Sequence, residues 1–485
     1  MAANRSPFGL APAARPLAIF GAVVAAAAVF YSFHLGRDPL GASEAYSAYA
    51  AARPNLGAIV RIPILDDPGK QLLYYVVLHY WTAIFGASEA MLRAPSVIFG
   101  LGAIAMLFVL GRDLFDDATG ASAAALWAFN PIATVFAFRA RMYTMLIAIA
   151  LAHLCAFRRA RETGTSGWTL MCAVTGAAII YTHLGGAAIL VAEAAILLRD
   201  AARGRRVLAP WLALGGAALL FAPYLPIASA QSRVLIAGHW LDWIGPAYHY
   251  SPATKLIVAV GVAALGLWMI FGGKRDPLAP EPIRFCVLWI AIPIISFAAG
   301  SIVVRPMFQL RYVSPSLAML CVLVAALFAK AGAWTRNIAV VAITATMLAM
   351  ALAVRPAIQP WGAAARMIAD SGDRADPIFF ESGFVSSGPA LEIPNRGFPH
   401  GYYSLPFDYY FHGPNPRMTI APSDPAAARA AIESAAARTG GAWLISWENA
   451  SEAARELPGS PHFIVTLRLR GERVAIYRIT SAPKS

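Results

Sequence analysis

The run Leu72–Gly86, LLYYVVLHYWTAIFG, decides the fold, because it is apolar enough to enter a bilayer and short for crossing one. A spanning helix requires about 20 predominantly apolar residues. This run is shorter and carries Tyr74, Tyr75, His79, Tyr80 and Trp81, side chains that favour the membrane–water interface. Loop charge gives an independent reading. The loops holding Arg158, Arg159 and Arg161, then Arg199, Arg203, Arg205 and Arg206, then Lys274, Arg275 and Arg284, then Lys330 and Arg336, are all expected on the cytoplasmic side. Were Leu72–Gly86 to cross, a cytoplasmic N-terminus would contradict those signs. The run is therefore expected to lie as a surface helix within one long external loop, about 36–92.

Outward from this loop, apolar runs predict spans at about 17–35, 93–112, 119–138, 142–157, 168–182, 184–198, 207–229, 253–272, 283–304, 313–330 and 336–354. That is a polytopic α-helical membrane protein of about 11 transmembrane helices. Composition agrees: of 485 residues 59% are apolar and 13% charged, with a mean hydropathy of +0.59. Soluble proteins carry about 25% charged residues, so an ordinary soluble enzyme is excluded. The net charge of +13 reads as orientation, set by basic residues in cytoplasmic loops, and no nucleic-acid partner is expected. Cys155, Cys172, Cys286 and Cys321 lie in apolar stretches and read as packing residues, placed neither for a disulfide nor for a metal cluster.

After residues 1–354 the pattern becomes soluble. Short β-like runs (Pro377–Phe380, Trp443–Trp447, Phe463–Leu469, Val474–Ile479) alternate with helix-like stretches (Trp361–Asp370, Pro425–Thr439), which predicts a small external α/β domain over 355–485.

Polar residues gather where the expected outer loops meet the spans: Asp38, Glu44, Asp66, Asp67 and Lys70, then Arg139, Arg141 and Tyr143, then His183, then Arg305 and Arg311. Acids and cations on one face suit transfer from a phosphorylated donor. A carboxylate takes the proton of an acceptor hydroxyl, and guanidinium or ammonium groups offset the charge building on a departing phosphate. Elsewhere, Glu193 lies within a span and is expected to hydrogen-bond a neighbouring helix. The aromatic segment His400–His412 reads first as packing and second as a sugar-binding surface.

Several of these residues carry a family resemblance. Ser43-Glu44-Ala45-Tyr46 resembles the DEAY-type motif of the GT-C fold glycosyltransferases that use polyprenyl-phosphate sugars, the group of the protein O-mannosyltransferases (glycosyltransferase family 39) and the aminoarabinose transferase. Lys70-Gln71-Leu72-Leu73-Tyr74-Tyr75 resembles its KPPLYY segment, Arg139-Ala140-Arg141-Met142-Tyr143 its EARMY, Tyr181-Thr182-His183 its YTH and Arg311-Tyr312 its late RY. The resemblance implies a GT-C fold with surface helices in the first external loop. It also implies inverting transfer of a sugar from a polyprenyl phosphate to a lipid, polysaccharide or protein acceptor on the periplasmic face of a bacterial inner membrane. Carried over, it makes Glu44, with Asp38 and Asp67, the catalytic acids. Lys70, Arg141, Arg311 and Arg305 fall to the donor phosphate, and Tyr46, Tyr74, Tyr143 and His183 line the cavity. No metal is obligatory in this branch, although first-loop acids could hold a divalent cation through oxygen ligands.

Four positions depart from the pattern. Ser43 replaces the first acid, and a serine hydroxyl has no useful basicity near neutral pH. Gln71 and Leu72 replace the two prolines, and Arg139 replaces the acid of EARMY. Two other classes stay open on the residues alone: a transporter or lipid flippase, and an inactive relative acting as an accessory or binding subunit.

Overall fold

A computed structural model describes residues 15–65, 72–230, 281–303, 308–353, 359–382, 404–420, 425–447, 463–471 and 474–482. Among them, six helices are long and apolar enough to cross a membrane: Arg15–Ser32, Glu89–Leu114, Tyr143–Thr163, Leu208–Ala230, Glu281–Val303 and Ala333–Ala353. A bent pair raises the number to seven, and Leu72–Phe85, Ser166–Thr182 and Ser314–Lys330 are shorter apolar helices. Each predicted span falls on helix except 253–272, which lies outside the described residues. The six or seven are the longer helices among the described residues; of the other predicted spans, 168–182 and 313–330 fall on the shorter apolar helices Ser166–Thr182 and Ser314–Lys330, and 184–198 on Ala187–Ala201. Ser166–Thr182, at 17 residues, rises about 26 Å against a hydrocarbon core of about 30 Å.

The predicted span 119–138 is broken. Asp117–Ala128 and Pro131–Ala137 meet at 64°, because Pro131 cannot continue the preceding hydrogen-bond ladder and instead opens a new helix. Asn130 caps that helix, its Oδ1 accepting the Ile132 N–H at 2.9 Å. Against Glu89–Leu114 the first half packs backbone to backbone: a Cβ at Gly120 would lie 2.4 Å from the Phe108 carbonyl oxygen. Glycine is what permits this approach, as in small-residue contacts between membrane helices.

Between Arg15–Ser32 and Glu89–Leu114 the chain forms three helices, Ala42–Ala51, Leu56–Leu65 and Leu72–Phe85. Leu72–Phe85 buries Tyr74, Tyr75 and Leu78 against the loop and leaves Tyr80, Ile84 and Phe85 exposed, as an interfacial helix does.

Inside the bundle, Glu193 bonds its neighbours as expected. Its Oε2 lies 2.8 Å from His153 Nε2, and its Oε1 accepts the Trp289 indole N–H at 3.3 Å. The other ring nitrogen of His153 is 2.9 Å from Thr175 Oγ. Four helices are thus joined by polar side chains without exposed surface at His153 or Glu193.

The C-terminal region is a mixed five-stranded sheet of order β2-β1-β3-β5-β4, with β1 (Ile378–Ser382), β2 (Arg417–Ile420), β3 (Gly441–Trp447), β4 (Phe463–Gly471) and β5 (Val474–Ser481). β1 pairs in parallel with β2 and β3, and the remaining pairs are antiparallel. Alternation along β1 sends Phe380 to one face, under Trp361–Asp370 and Phe407, and Phe379 to the other, under Pro425–Thr439.

Glu193→Leu is expected to leave His153 and Trp289 as buried donors without acceptors, a loss of roughly 1–3 kcal/mol. Glu193→Gln, which keeps the hydrogen bonds, is expected to cost less in the same thermal unfolding measurement in detergent.

Candidate active site

The site grows from one carboxylate. Gly41 opens the helix Ala42–Ala51, and Glu44 in its first turn folds back to accept the Gly41 N–H at 3.0 Å, the reciprocal half of a capping box. The same carboxylate accepts Arg93 Nε–H at 2.8 Å, Arg93 Nη2–H at 3.1 Å and the Ala140 backbone N–H at 2.9 Å. Glu44 and Arg93 are both buried. With four donors around it, the Glu44 carboxylate has its lone pairs engaged by the loop, the Arg93 helix and the turn at Ala140.

Arg93 is the residue that sequence reasoning missed. Besides Glu44 it donates Nη1–H to the carbonyls of Leu35 at 3.0 Å and Asp38 at 2.8 Å, and Nη2–H to that of Pro39 at 3.2 Å. One guanidinium therefore sets the path of the chain between Arg15–Ser32 and Ala42–Ala51. The signal was an arginine inside the apolar run LRAPSVIFG, which reads as the flank of a span until its partner is known.

Arg141 ties the next element to the same helix. It is buried and donates Nη1–H to the Ser43 carbonyl at 2.8 Å and to Ser47 Oγ at 3.3 Å. The resembling segments at 43–46 and 139–143 thus touch through backbone groups. The Ser43 side chain takes no part in these bonds.

Asp38 differs from Glu44. Its carbonyl is held by Arg93, whereas its half-buried carboxylate makes no hydrogen bond among the described residues. Asp67, Lys70 and Arg305 lie outside the described residues. Tyr46 and Tyr74 have no exposed surface and pack with Tyr75 in the loop's core, rather than lining an open cavity.

Arg311 reaches the same place from a late loop. Burial opposes its charge, but Tyr143 and Tyr312 hold its pKa above the ordinary value, and the Arg141 charge acts on it in the opposite direction. The two cations are thus neighbours. Arg311 Nε–H is buried and has no hydrogen-bond partner among the described residues. Beside it, Tyr312 packs 4.8 Å from the His183 ring. His183 Nδ1 accepts the Gly185 N–H at 3.0 Å, which places the proton of a neutral ring on Nε2. A Cβ at Gly185 would lie 2.8 Å from the Phe297 ring, so only glycine fits that turn.

At the break between Asp117–Ala128 and Pro131–Ala137 lies a groove of about 550 Å³, lined by Pro131, Ile132, Val135, Phe136, Gln309, Leu310 and Arg311. It is apolar along its length and cationic at Arg311. Arg139, half-buried, makes no side-chain hydrogen bond among the described residues.

The C-terminal region closes over this end. The Leu40 N–H donates to Tyr410 Oη at 2.7 Å, Tyr410 O–H donates to Glu89, and Tyr409 O–H donates to the Ala87 carbonyl at 2.6 Å. Burial, then the Glu89 carboxylate, holds the Tyr410 phenol well above its ordinary pKa, so it stays a neutral donor. Phe407 and Phe411 of the same aromatic segment are core residues of the sheet. Packing therefore accounts for residues 404–411, while His400–Tyr403 lie outside the described residues.

Comparison with known proteins follows this geometry. Residues 67–229 match the family model of dolichyl-phosphate-mannose-protein mannosyltransferases. The structure is similar to ArnT from Cupriavidus metallidurans in the apo state, with a TM-score of 0.56 at 13% identity, over 96% of this chain and 98% of that one. The chain has the GT-C glycosyltransferase fold. ArnT from the same organism bound to undecaprenyl phosphate also aligns with this GT-C chain, with a TM-score of 0.50 at 16% identity, over 96% and 98% of the two chains. No curated protein matches the GT-C chain in sequence. Its apolar helices and fold make it a multi-pass membrane protein.

Arg93→Ala is expected to leave Glu44 buried without its counter-charge and to cost about 3–5 kcal/mol of stability. Tyr410→Phe removes one hydroxyl from the docking contact and is expected to cost about 1 kcal/mol. Thermal unfolding of the two variants in detergent measures both.

Proposed function

We propose that this GT-C protein transfers a sugar, with inversion, from a polyprenyl-phosphate donor to a lipid, polysaccharide or protein acceptor at the periplasmic face of a bacterial inner membrane. The observation that carries the reading is the open groove at the Pro131 break, apolar along its walls and bordered by Arg311, whose Nε–H has no hydrogen-bond partner among the described residues. An isoprenoid chain ending in a phosphate has that polarity. The family model matched over 67–229 and the aligned structure bound to undecaprenyl phosphate favour the same class of donor.

In the reaction, the acceptor hydroxyl loses its proton to a carboxylate and its oxygen bonds to the sugar C1. The C1–O bond to phosphate breaks on the opposite side, and the lipid phosphate leaves with the electron pair. One displacement inverts the anomeric centre. Arg311 lies where charge builds on the leaving phosphate, and Arg139 and Arg141 add positive potential nearby; guanidinium groups fixed before the reaction stabilise that charge without reorganising. Lys70 and Arg305 are assigned to the same phosphate, Tyr143 borders Arg311, and His183 packs against the adjoining Tyr312.

The base is assigned to Asp38, with Asp67 as the second candidate. Glu44 is assigned a supporting role, because its four hydrogen bonds and its ion pair commit it to the loop. Asp38 has a free carboxylate and a backbone held in place by Arg93.

The test is transfer from radiolabelled polyprenyl-phosphate sugars by purified protein. Asp38→Asn is expected to lower kcat by about 10²–10⁴-fold with an unchanged thermal midpoint. Arg311→Ala is expected to lower transfer as well, while Glu44→Gln acts chiefly on stability. Full activity of Asp38→Asn would move the base to Asp67. Absence of turnover by the wild type with every donor would favour an accessory role.

A further inference from the structure

The far end of the bundle carries a second group of guanidinium ions, unconnected with the proposed chemistry. The helix Ala187–Ala201 starts beside His183 and rises about 22 Å to its last turn, which places Arg199 at the end opposite the groove. Among the described residues, two acids lie there, and both are engaged. Asp200 accepts from Arg161, through both carboxylate oxygens, and from Arg205 at 3.3 Å. Glu281 accepts from Arg161 at 2.8 Å and from Arg205 at 3.1 Å.

Arg199 stands outside this network. It is 9% exposed, its Nε–H is buried, and its guanidinium makes no hydrogen bond among the described residues. After burial, the charges of Arg203 and Arg284 are the next causes that hold its pKa below the ordinary value, against the opposing pull of Asp200 and Glu281. Four guanidinium groups, of Arg161, Arg199, Arg203 and Arg205, thus face two carboxylates among the described residues, and the charge of Arg284 acts on Arg199 as well.

The surface beside this cluster is apolar. Val191 and Leu198, seven residues apart on one helix face, are 55% and 48% exposed. Val287, one turn beyond Arg284 on the facing helix Glu281–Val303, is 42% exposed. In a membrane protein such side chains meet acyl chains. A buried cation with an unsatisfied N–H, set in excess positive charge at the edge of lipid-facing rows, has the chemistry of a headgroup site.

We infer that Arg199, with Arg203, binds the phosphate of an anionic phospholipid in the leaflet at this end of the bundle. The guanidinium fork takes two phosphate oxygens, and the surrounding excess of positive charge selects a net-negative lipid over a zwitterionic one. The site stands apart from the transferase reading, since neither the groove nor Asp38 enters it.

Native mass spectrometry of the full chain in detergent tests this, with phosphatidylglycerol, phosphatidylcholine and inorganic phosphate as separate probes. The wild type is expected to retain phosphatidylglycerol in preference to phosphatidylcholine. Arg199→Gln is expected to weaken that retention about fivefold, and Arg199→Gln with Arg203→Gln about 30-fold. Arg112→Gln, which removes an exposed arginine paired with Asp113, is expected to leave retention unchanged. Arg199→Lys, which keeps the charge and loses the fork, is expected to fall between wild type and Arg199→Gln, and it reads the site if Arg199→Gln does not fold. Equal retention of both lipids by the wild type, or an Arg112→Gln effect equal to that of Arg199→Gln, would overturn the inference. Saturable binding of inorganic phosphate without a preference for phosphatidylglycerol would overturn the lipid as its ligand.

Discussion

The ion pair between Glu44 and Arg93 is the contact on which this end of the molecule depends. It joins a loop helix to a spanning helix, and each partner extends the junction: Glu44 to the Ala140 amide, Arg93 to the carbonyls of Leu35, Asp38 and Pro39. A buried ion pair lacking further partners is a poor source of stability, since desolvation offsets the attraction. Here the remaining donors and lone pairs are satisfied by backbone groups. That is the condition under which a buried pair defines geometry, and the geometry it defines is the path of residues 35–44. One turn earlier on the Arg93 helix, Glu89 meets Tyr410, so the C-terminal sheet is referenced to the same helix end.

Against this satisfied junction stands an unsatisfied one. Arg311 bonds Tyr312 but keeps a buried Nε–H without a partner among the described residues, beside a second arginine whose hydrogen bonds run to Ser43 and Ser47. Two neighbouring cations repel, and one of them is held by the fold while the other is left facing a groove. An anion placed there relieves both the repulsion and the missing hydrogen bond. In the proposed reaction, the asymmetry between the two arginines would set the phosphate beside Arg311 and the hydrocarbon chain along the apolar walls.

Much of the architecture was legible in the sequence, for reasons that differ by element. The helices Trp361–Asp370 and Pro425–Thr439 could be read to the residue because local composition and flanking Pro or Gly set their ends. Leu72–Phe85 could be read as a short apolar helix because its run of apolar and aromatic residues is too brief for a span. The break at Pro131 was missed because the run 119–138 is apolar on both sides of it, and hydropathy does not register a bend of 64°. The role of Glu44 was harder still. A carboxylate in a recognisable motif looks the same on paper whether its partner is a substrate or an arginine 49 residues away. Only tertiary contact distinguishes the two.

Ser43 marks where motif reading and structure part. What position 43 supplies to the fold is its carbonyl, which holds Arg141, and any residue offers a carbonyl. Loss of the acidic side chain therefore leaves the junction between the loop and the turn at 139–142 intact, and only the proton-accepting role is vacated. Glu44 cannot move into it without abandoning Arg93 and Ala140 together. The proposed reaction assigns it to Asp38, which lies on the segment whose carbonyls Arg93 holds; its carboxylate makes no hydrogen bond among the described residues. In the proposed reaction, the same guanidinium that binds Glu44 would then position the base through its backbone, so that the proton-transfer geometry is set by a residue that touches neither donor nor acceptor.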